Sequence, residues 1–358
     1  MDYNLIYMPT FRLRQEEIKV LQTTDFGDNI YPLIEIVKEK NRTDNKKNFK
    51  EIHDSIIHSI NSTHVLVDIP NYLSLQRNVK EEIIQFGLRV GNNQELRTQY
   101  ILKLSNKEKI IPVISSFNSN QNSIHQQHDA LRPHFKKLAY RVFVDSFQND
   151  INAVIKIITE NDYLIIDIDK QTPFKSITLK PIIETLKKIN QPTKVLLRSA
   201  INNDVQNVDL INNENVEKID HSHLDTENLT DFGVNCFGDY AGVKKDLMTK
   251  GGTISPGFIY FDAVENQSYG FKSPIKSLDQ FQNKIVPDIL SSECTTRMLD
   301  YNPPYLNNNN LGYKTLVDIM SGKENGRSQA KFKKIAMDHY IYCIKNKILI
   351  EELTQVNI

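Results

Sequence analysis

The chain has 358 residues, of which 39% are hydrophobic and 25% are charged, so it can bury a large core and long polar disorder is not the default. Lysine plus arginine and aspartate plus glutamate number 44 each, and this zero formal net charge argues against broad electrostatic wrapping of nucleic acid. The three cysteines are widely spaced and form no CxxC pair, so we expect neither a disulfide framework nor a thiolate zinc site. Three free thiols are typical of a protein in a reducing cytoplasm.

The N-terminal segment Met1-Asp2-Tyr3-Asn4 is acidic and lacks the apolar core of a secretory signal. No apolar run approaches the roughly 20 residues that span a bilayer. We therefore expect a cytoplasmic protein that does not act at a membrane.

Nine short apolar runs recur along the chain, and each leads into a polar or charged residue. Runs that are brief, β-branched and almost continuously apolar predict strands covered on both faces, as in parallel sheets. The nine runs are Asn4–Met8, Tyr31–Val37, His64–Ile69, Lys109–Ser115, Tyr140–Asp145, Tyr163–Ile168, Thr193–Arg198, Asn235–Phe237 and Gly257–Phe261.

Helix-like segments lie between many of these runs, and strands that alternate with helices predict βα units. About eight units, together with the absence of a Gly-rich turn after the first strand, favour a (β/α)8 TIM-barrel-like α/β fold over a doubly wound sheet. Because nine runs exceed eight strands, either the run at Asn235 or the run at Gly257 should lie outside the ring. The predicted helices are Gln15–Thr23, Phe49–Ser62, Val79–Phe86, Ile151–Glu160 and Leu179–Ile189.

Three stretches are predicted loops: Lys38–Lys47, Ile201–Glu217 and Tyr301–Asn310. The last contains two prolines and four consecutive asparagines, so no helix or strand should cross it. Beyond it, Gly312–Met320 and Ser328–Lys347 are predicted helices. We place the barrel at residues 1–265 and a C-terminal helical extension, packed on the barrel, at residues 266–358. The last helix has a broad apolar face, which predicts packing within the chain or, as the alternative, a homodimer interface.

Charged residues stand at the ends of several predicted strands, where barrel enzymes carry their active sites. A charge inside an apolar run must be paired, exposed at the mouth or bound to a ligand. As a functional site, the carboxylates would act in acid–base catalysis or hold Mg²⁺ or Mn²⁺, and the arginines would bind a phosphate-bearing ligand. The alternative is a structural ion-pair network that closes the barrel. The candidate catalytic residues are Glu35, Asp68, Asp167 and Asp239, and the candidate ligand-binding residues are Arg12, Arg14, Arg198 and Tyr240.

Other polar residues follow the same strands, namely Ser115, Ser116, Asp145 and Asp169. Arg141, in contrast, stands near the start of its run. We therefore expect Arg141 at the opposite end of the barrel from the candidate site.

Two short motifs could hold a metal ion. Asp167-Ile168-Asp169 places two carboxylates on one face of a strand end, which suits a hard cation, and an Asx-type turn is the alternative. The segment from Asp220 to Asp225 contains His221 and His223, a pair that can chelate a transition metal. For this second motif a polar loop with an N-cap aspartate is favoured.

The remaining motifs indicate no known chemistry. His125, His128 and His134 lie in a polar stretch and are interpreted as solvated, and Gly251-Gly252 is interpreted as a turn. There is no Walker A, G-x-S-x-G, H-E-x-x-H or kinase signature.

Several segments along nearly the whole chain resemble the Beta family, which is named for a phage protein called beta. The pattern departs at Ala241, where a Gly is expected, and no Trp follows the later strand. The matching segments are Tyr7-Met8-Pro9 with Arg12, Ile30-Tyr31-Pro32-Leu33-Ile34-Glu35-Ile36, Leu197-Arg198-Ser199, Phe237-Gly238-Asp239-Tyr240, Ile259-Tyr260-Phe261 and Asp338-His339.

The resemblance implies phage or mobile-element genes and bacterial defence neighbourhoods, and it names no reaction. Two functions are therefore expected. The first is a metal-assisted phosphoester or nucleotide hydrolase, with a nucleotide or a nucleic acid as its ligand. The second is a non-catalytic binding module that partners a defence effector such as a nuclease.

The segment Phe237-Gly238-Asp239-Tyr240 is the most specific piece of the resemblance and carries the sharpest local prediction. It should lie at the polar mouth of the barrel, near Arg198 and Glu35. If the last strand closes beside the first, Asp239 should face Arg12 or Arg14 across the seam.

Overall fold

The computed structural model describes residues 2, 4–39, 46–118, 120–172, 176–250 and 254–356. The strands in this part of the chain are β1 (Tyr7–Arg12), β2 (Asp25–Gly27), β3 (Leu33–Glu35), β4 (Asn61–Ser62), β5 (Val65–Asp68), β6 (Ile110–Ile114), β7 (Ala139–Phe143), β8 (Tyr163–Asp167), β9 (Thr193–Leu197), β10 (Glu214–Asn215), β11 (Cys236–Asp239), β12 (Gly257–Asp262) and β13 (Gln267–Lys272).

Eight of these strands close into a parallel barrel in the order β1-β11-β9-β8-β7-β6-β5-β3. The predicted (β/α)8 TIM-barrel-like fold is therefore confirmed. Of the two runs in question, Asn235–Phe237 supplies β11 of the ring, and Gly257–Phe261 supplies β12 outside it. Strand β12 pairs in antiparallel fashion with β13, which also pairs with β10 to form a small separate sheet.

The helices surround the barrel and continue past it. They are α1 (Gln15–Thr23), α2 (Phe49–Ser59), α3 (Glu81–Phe86), α4 (Gln94–Leu102), α5 (Gln121–Leu131), α6 (Phe147–Val154), α7 (Lys180–Leu186), α8 (Thr226–Phe232), α9 (Val286–Leu290), α10 (Glu293–Asp300), α11 (Leu311–Met320) and α12 (Gln329–Leu349). Short π-helical turns at Gly87–Gly91 and Phe281–Ile285 adjoin α3 and α9.

Asparagine side chains begin several of these helices. The side chains of Asn48, Asn93, Asn120 and Asn310 each accept a backbone N–H of the first helical turn. Asn48 completes a capping box with Glu51. Since N-capping satisfies donors that have no partner inside the helix, the Asn-rich connections fix where these helices start.

Two apolar layers separate the inside of the barrel from the space under the helices. The interior layer includes Met8, Leu33, Leu66, Ile165 and Leu197, all essentially inaccessible to solvent. The strand residues next to these in sequence belong to the layer packed against the helices. This alternation is the period of two that a β-strand imposes, and both faces are apolar because a parallel barrel is covered on both sides.

Helix α12 packs against β12, α11 and α1. Its apolar residues Phe332, Ile335, Cys343 and Ile344 are buried within the chain. The predicted intramolecular packing of this face therefore occurs, and a homodimer would need a different surface. Oligomeric state stays a prediction.

The C-terminal part is not wholly helical, because β13 lies beyond residue 265. The proposed domain boundary there stays a prediction. The loop Tyr301–Asn310 is free of helix and strand, as predicted, and Ile201–Glu217 contains one turn of 3-10 helix and the two-residue β10. Residues 40–45 of the loop Lys38–Lys47 and the Gly251-Gly252 pair lie outside the described residues. In the described part of the chain, no helix is long and apolar enough to cross a membrane.

Candidate ligand-binding site at the barrel mouth

Six charged side chains form a buried group near the C-terminal ends of the strands, which we call the interior charge cluster. The register of the strands brings three of these residues together: Arg12 of β1 lies opposite Glu35 of β3, and Glu35 lies opposite Asp68 of β5. Each of the two acidic residues follows an interior apolar residue by two positions, so both side chains point into the barrel. The cluster comprises Arg12, Glu35, Asp68, Arg97, Arg141 and Asp167, all buried.

Arg141 lies at the centre of the interior charge cluster. Its Nη1 is 2.9 Å from Oε1 of Glu35 and 3.0 Å from Oδ2 of Asp68. Its Nη2 is 2.6 Å from Oδ2 of Asp167. One guanidinium therefore stands between three carboxylates.

Two further guanidinium groups complete the charge balance. Nε of Arg12 is 2.8 Å from Oε2 of Glu35, and Nη2 of Arg97 is 2.7 Å from Oδ1 of Asp68. Arg97 reaches in from α4 and also donates to the backbone oxygens of Ile69 and Val113. Three positive and three negative charges thus neutralise one another in a largely buried group.

All six oxygens of the three carboxylates accept hydrogen bonds. Besides the arginines, the donors include the hydroxyl of Tyr72, which is 3.0 Å from Glu35 and 2.9 Å from Asp68. The remaining oxygen, Oδ1 of Asp167, accepts the backbone N–H of Asp169 at 2.9 Å. A carboxylate with both oxygens already hydrogen-bonded is less available to take a proton or to bind a cation.

The pKa of Glu35 reflects this pairing. Burial alone would raise the pKa, but the positive charges of Arg12 and Arg141 outweigh it and lower the pKa from 4.5 to about 2. Glu35 therefore stays ionised near neutral pH. A group with so low a pKa is a weak general base and cannot serve as a general acid at that pH.

The expectation for Arg141 is wrong. Arg141 stands in the middle of β7, on the same face as the interior residue Ala139, and its side chain reaches the mouth carboxylates. In a barrel the strands are tilted and staggered, so a residue early in one strand is level with the end of another. The position of a residue within an apolar run therefore does not predict at which level of the barrel its side chain lies.

Tyr240 joins the interior charge cluster from the end of β11. Its hydroxyl is 3.1 Å from Oε1 of Glu35 and 3.1 Å from Nη2 of Arg141. The preceding Gly238 allows β11 to lie close to β1, since a Cβ there would be 2.6 Å from the backbone oxygen of Met8. The segment therefore lies at the mouth and contacts Glu35, as predicted.

Asp239 lies at the same height as Tyr240 but on the opposite face of the strand. Its Oδ1 accepts the hydroxyl of Tyr7 at 2.6 Å, and its Oδ2 accepts the hydroxyl of Tyr340 at 2.5 Å. Oδ2 is also 2.9 Å from Nε2 of His223. We call Tyr7, His223, Asp239 and Tyr340 the outer cluster, because it fills the space between the barrel and α12.

Asp239 forms no hydrogen bond or ion pair with Arg12 or Arg14 in the described part of the chain, so the expectation that it faces one of them is wrong. Alternation along β11 is the reason, because it turns Asp239 outward and Tyr240 inward. Burial would raise the pKa of Asp239, but the hydrogen bonds from His223, Tyr340 and Tyr7 lower it below its usual range.

Arg198 and Arg14 also lie apart from the interior charge cluster. Arg198 follows β9 on its outer face and binds the backbone oxygen of Asp220 at 2.5 Å and that of Gln171 at 2.9 Å. Its own backbone N–H donates to the oxygen of Gly238, which places Arg198 beside the predicted segment. Nε of Arg14 is 2.6 Å from Glu17, at the rim.

The two candidate metal motifs have other roles. Asp169 has a positive φ of 52° and donates its backbone N–H to Asp167, which is the Asx-type turn given as the alternative. Asp225 caps α8 through its side chain, as the polar-loop interpretation predicted. His221 and His223 are buried all the same. In the part of the chain that the structure describes, no group of three or more His, Cys, Asp or Glu residues is placed to hold a metal ion.

Two clefts open above the interior charge cluster. The first, which we call the narrow cleft, has a volume of about 700 Å³, and the second, the wide cleft, about 1230 Å³. Both are lined by Tyr72, Asp169 and Lys245. The ammonium of Lys245 pairs with Asp169, and its backbone oxygen accepts Nη1 of Arg12 at 2.8 Å. The clefts are therefore neighbours separated by one ion pair.

The wide cleft holds cations with unused binding capacity. Lys244 is half-buried and forms no hydrogen bond or ion pair with any described residue. Burial lowers the pKa of Lys244 below that of an ordinary lysine, and the more distant carboxylates of Asp246, Asp204 and Asp209 offset only part of this effect. Nη2 of Arg12, which also lines this cleft, has no hydrogen-bond partner among the described residues. These groups are placed to receive an anion.

Sequence reasoning misplaced Arg141 and did not single out Arg97, Tyr72 or Lys244. The inward direction of Arg141 follows from the strand period, because Arg141 shares one face of β7 with Ala139 and Phe143. The other three lie on helix α4 or on loops, where no short-range pattern indicates that a side chain turns toward the barrel.

Residues 7–344 match the family described as Beta protein. A comparison with curated proteins gives no significant match. The matched range includes the whole barrel, both clefts and most of α12. The chain belongs to the Beta protein family.

Proposed function

We propose that the wide cleft of this protein binds a small phosphate-bearing ligand. The observation that carries the proposal is Lys244, a half-buried cation of the wide cleft that forms no hydrogen bond or close ion pair with any described residue, although the carboxylates of Asp246, Asp204 and Asp209 attract it at longer range. A cation that has lost part of its hydration is stabilised by an anion that replaces the lost water. Arg12 stands in the same cleft with one free N–H₂ group, and a guanidinium suits phosphate oxygens.

The lining of the wide cleft supports the same ligand class. Amide side chains of Asn78, Asn203 and Gln206 line it, together with Lys276. Amides donate to phosphate and sugar oxygens without adding charge, and Lys276 adds a cation at the rim. Two carboxylates also line the cleft, but Asp169 is paired with Lys245, and Asp246 with Arg14 and Lys333. A small polar anion fits this lining better than an apolar molecule does.

Binding is favoured over hydrolysis by the interior charge cluster. Glu35, Asp68 and Asp167 are neutralised by arginines, and their oxygens already accept hydrogen bonds. These three residues would then support the floor of the ligand site instead of reacting with the ligand. The predicted catalytic role of the three carboxylates and of Asp239 has no test yet.

A metal-assisted phosphoester or nucleotide hydrolase is the second candidate. It is favoured by Asp145, an exposed carboxylate of the narrow cleft that forms no hydrogen bond with any described residue, and by the neighbouring Asp169. Mg²⁺ is commonly bound through one or two carboxylates together with the phosphates of the substrate. Incubation with nucleotides and Mg²⁺ or Mn²⁺ tests this candidate. Equal, background-level turnover by the wild type and Asp145→Asn would eliminate it.

The biological setting is inferred from family resemblance alone. We propose that the protein serves a phage-related or anti-phage function in the cytoplasm, with a partner such as a nuclease from the same operon. A phage plaque assay in cells with and without the gene, followed by pull-down from infected cells, tests both points. Unchanged plaque numbers for a broad phage panel would remove the defence role.

Inorganic tripolyphosphate is the direct probe of the wide cleft. Isothermal titration calorimetry should detect binding by the wild type, and Lys244→Ala should weaken it by roughly tenfold or more, the usual value of a charge-assisted contact. Lys188→Ala is the matched control, since this exposed lysine precedes β9 at the other end of the barrel. Failure of the wild type to bind tripolyphosphate, or equal losses in both variants, would contradict the proposal.

A further inference from the structure

The narrow cleft offers what a phosphate site alone does not need, which is an aromatic surface. Tyr72, Phe117 and Phe143 line it, and each is partly exposed. The rings of Tyr72 and Phe143 have centroids 4.6 Å apart and are tilted by 54°. Partly exposed aromatic rings in a concave site are available for stacking with a flat ring of a ligand.

The aromatic surface is held in place from below by the interior charge cluster. The guanidinium carbon of Arg141 is 4.6 Å from the ring centroid of Tyr72 and 5.4 Å from that of Phe143. The Tyr72 hydroxyl is tied to Glu35 and Asp68. Because these contacts restrain both rings before a ligand arrives, little ordering is needed on binding.

The rim of the narrow cleft carries polar side chains that are available to hydrogen-bond a ligand. The side chains of Asn92, Asn118 and Asp145 form no hydrogen bond with any described residue. In contrast, Ser116 and Ser146 of the same cleft are both occupied with Asp150, at 2.7 Å and 2.6 Å. Carboxamides and a carboxylate are the groups that read the edge of a base or the hydroxyls of a sugar.

We propose that the ligand is a mononucleotide, with its base in the narrow cleft on Tyr72, Phe117 and Phe143, and its phosphates in the wide cleft on Arg12 and Lys244. This inference rests on the proposed phosphate site and extends it across the wall that the two clefts share. At that wall, Lys245 and Asp169 would flank the sugar. A ligand with a flat ring at one end and phosphates at the other matches this arrangement, whereas inorganic polyphosphate and sugar phosphates leave the aromatic surface empty.

The test compares adenosine, guanosine, cytidine and uridine triphosphates with tripolyphosphate by calorimetry on the full chain. At least one nucleotide should bind about tenfold or more tightly than tripolyphosphate, since stacking of one base on an aromatic side chain has a value of this order. Phe143→Leu should bring the ratio of the two affinities toward one. Phe117→Leu is a second variant on the same surface, in case Phe143→Leu fails to fold by circular dichroism. Lys244→Ala should weaken both ligands together.

The outcomes separate the two proposals. If tripolyphosphate binds and depends on Lys244 but no nucleotide binds more tightly, the mononucleotide inference is wrong and the phosphate site stands. If a single-stranded oligonucleotide binds more tightly than any mononucleotide, the inference is likewise overturned. If neither tripolyphosphate nor nucleotides bind, both proposals fail.

Discussion

The interior charge cluster and the outer cluster lie on opposite faces of the same barrel wall; the first contains three strand-end carboxylates and the second contains one. Inside the barrel, Glu35, Asp68 and Asp167 are neutralised by guanidinium groups in equal number. Outside, Asp239 is satisfied by two hydroxyls and an imidazole. The interior group stabilises three carboxylates with three guanidinium groups, whereas the outer group surrounds one carboxylate with hydrogen bonds from two tyrosines and a histidine.

The difference shows how one step along a strand separates two environments. Tyr240 contacts the interior charge cluster, while its neighbour Asp239 contacts α12. The two clefts open above the interior charge cluster, and no residue of the outer cluster lines either cleft. Substitutions should therefore affect stability in both clusters but affect ligand binding only through the interior one.

The largest effect is expected at Arg141. Arg141→Met leaves three buried carboxylates without their shared partner, and breaking a buried ion pair in this way costs about 3–5 kcal/mol in the free energy of unfolding. Urea unfolding measures the loss. Arg89→Met is the matched control, because Arg89 pairs with Glu39 at the surface, with side chains 57% and 42% exposed. Such a surface pair contributes about 0–1 kcal/mol.

If Arg141→Met lowers the free energy of unfolding no more than Arg89→Met does, the contrast drawn between the two clusters would be wrong. Such a result would mean that the carboxylates of the interior charge cluster are solvated or protonated in solution, and that the cluster is not the tightly paired group described above.

The next effect concerns pH. The folded-state pKa of Glu35 is lowered from 4.5 to about 2, so its contribution to stability is full above pH 4.5 and is lost as the pH falls toward 2. Over that window the wild type should lose on the order of 2–3 kcal/mol through this residue. Glu35→Gln should be less stable at neutral pH and should show a shallower decline in acid. Urea unfolding at several pH values measures how the free energy of unfolding changes with pH in the wild type and in Glu35→Gln. Equal slopes for the two proteins would contradict the lowered pKa of Glu35.

The smallest effect is expected at Asp239. Asp239→Asn keeps the shape but removes the charge that accepts three side-chain hydrogen bonds, and we expect a loss of about 1–3 kcal/mol, typical of disturbed buried hydrogen bonds. Affinity for tripolyphosphate should not change. Asp231→Asn, at an exposed position of α8, controls for the loss of a carboxylate and should stay within about 0.5 kcal/mol of the wild type.

Asp239→Asn also tests whether the outer cluster takes part in ligand binding. Loss of ligand binding by Asp239→Asn with an unchanged melting temperature would mean that the outer cluster takes part in function. The strict division between the two faces of the barrel wall would then be wrong.

Much of the fold could be predicted from the sequence because its signals are local. A strand covered on both faces must be largely apolar, and each of eight such runs overlaps one barrel strand. The first run, Asn4–Met8, shares only Tyr7 and Met8 with β1, which continues to Arg12. Helix α1 begins and ends at the predicted residues, and the Pro- and Asn-rich loop before α11 has no regular structure. Helices α4 and α5 escaped prediction because their exposed faces carry several polar side chains and their apolar positions are few.

The candidate site could be predicted only in part. Glu35, Asp68, Asp167, Arg12 and Tyr240 do meet at the mouth, because charges that end apolar runs share one end of a parallel barrel. Arg141 was placed at the wrong end, since barrel stagger is not visible in one strand.

The approximate positions of the barrel strands, and the end at which their carboxylates gather, could be predicted from the amino-acid pattern, because hydrophobic pattern and chain direction are local properties. Which of two adjacent residues faces inward, and so the separation of Asp239 from Tyr240, depends on how the strands are arranged in the closed barrel. The tertiary structure also decided that Arg141 neutralises the carboxylates and that Lys244 does not pair with any described carboxylate. Those outcomes depend on how the ring closes and on where loops of distant origin meet, and no window of neighbouring residues contains that information.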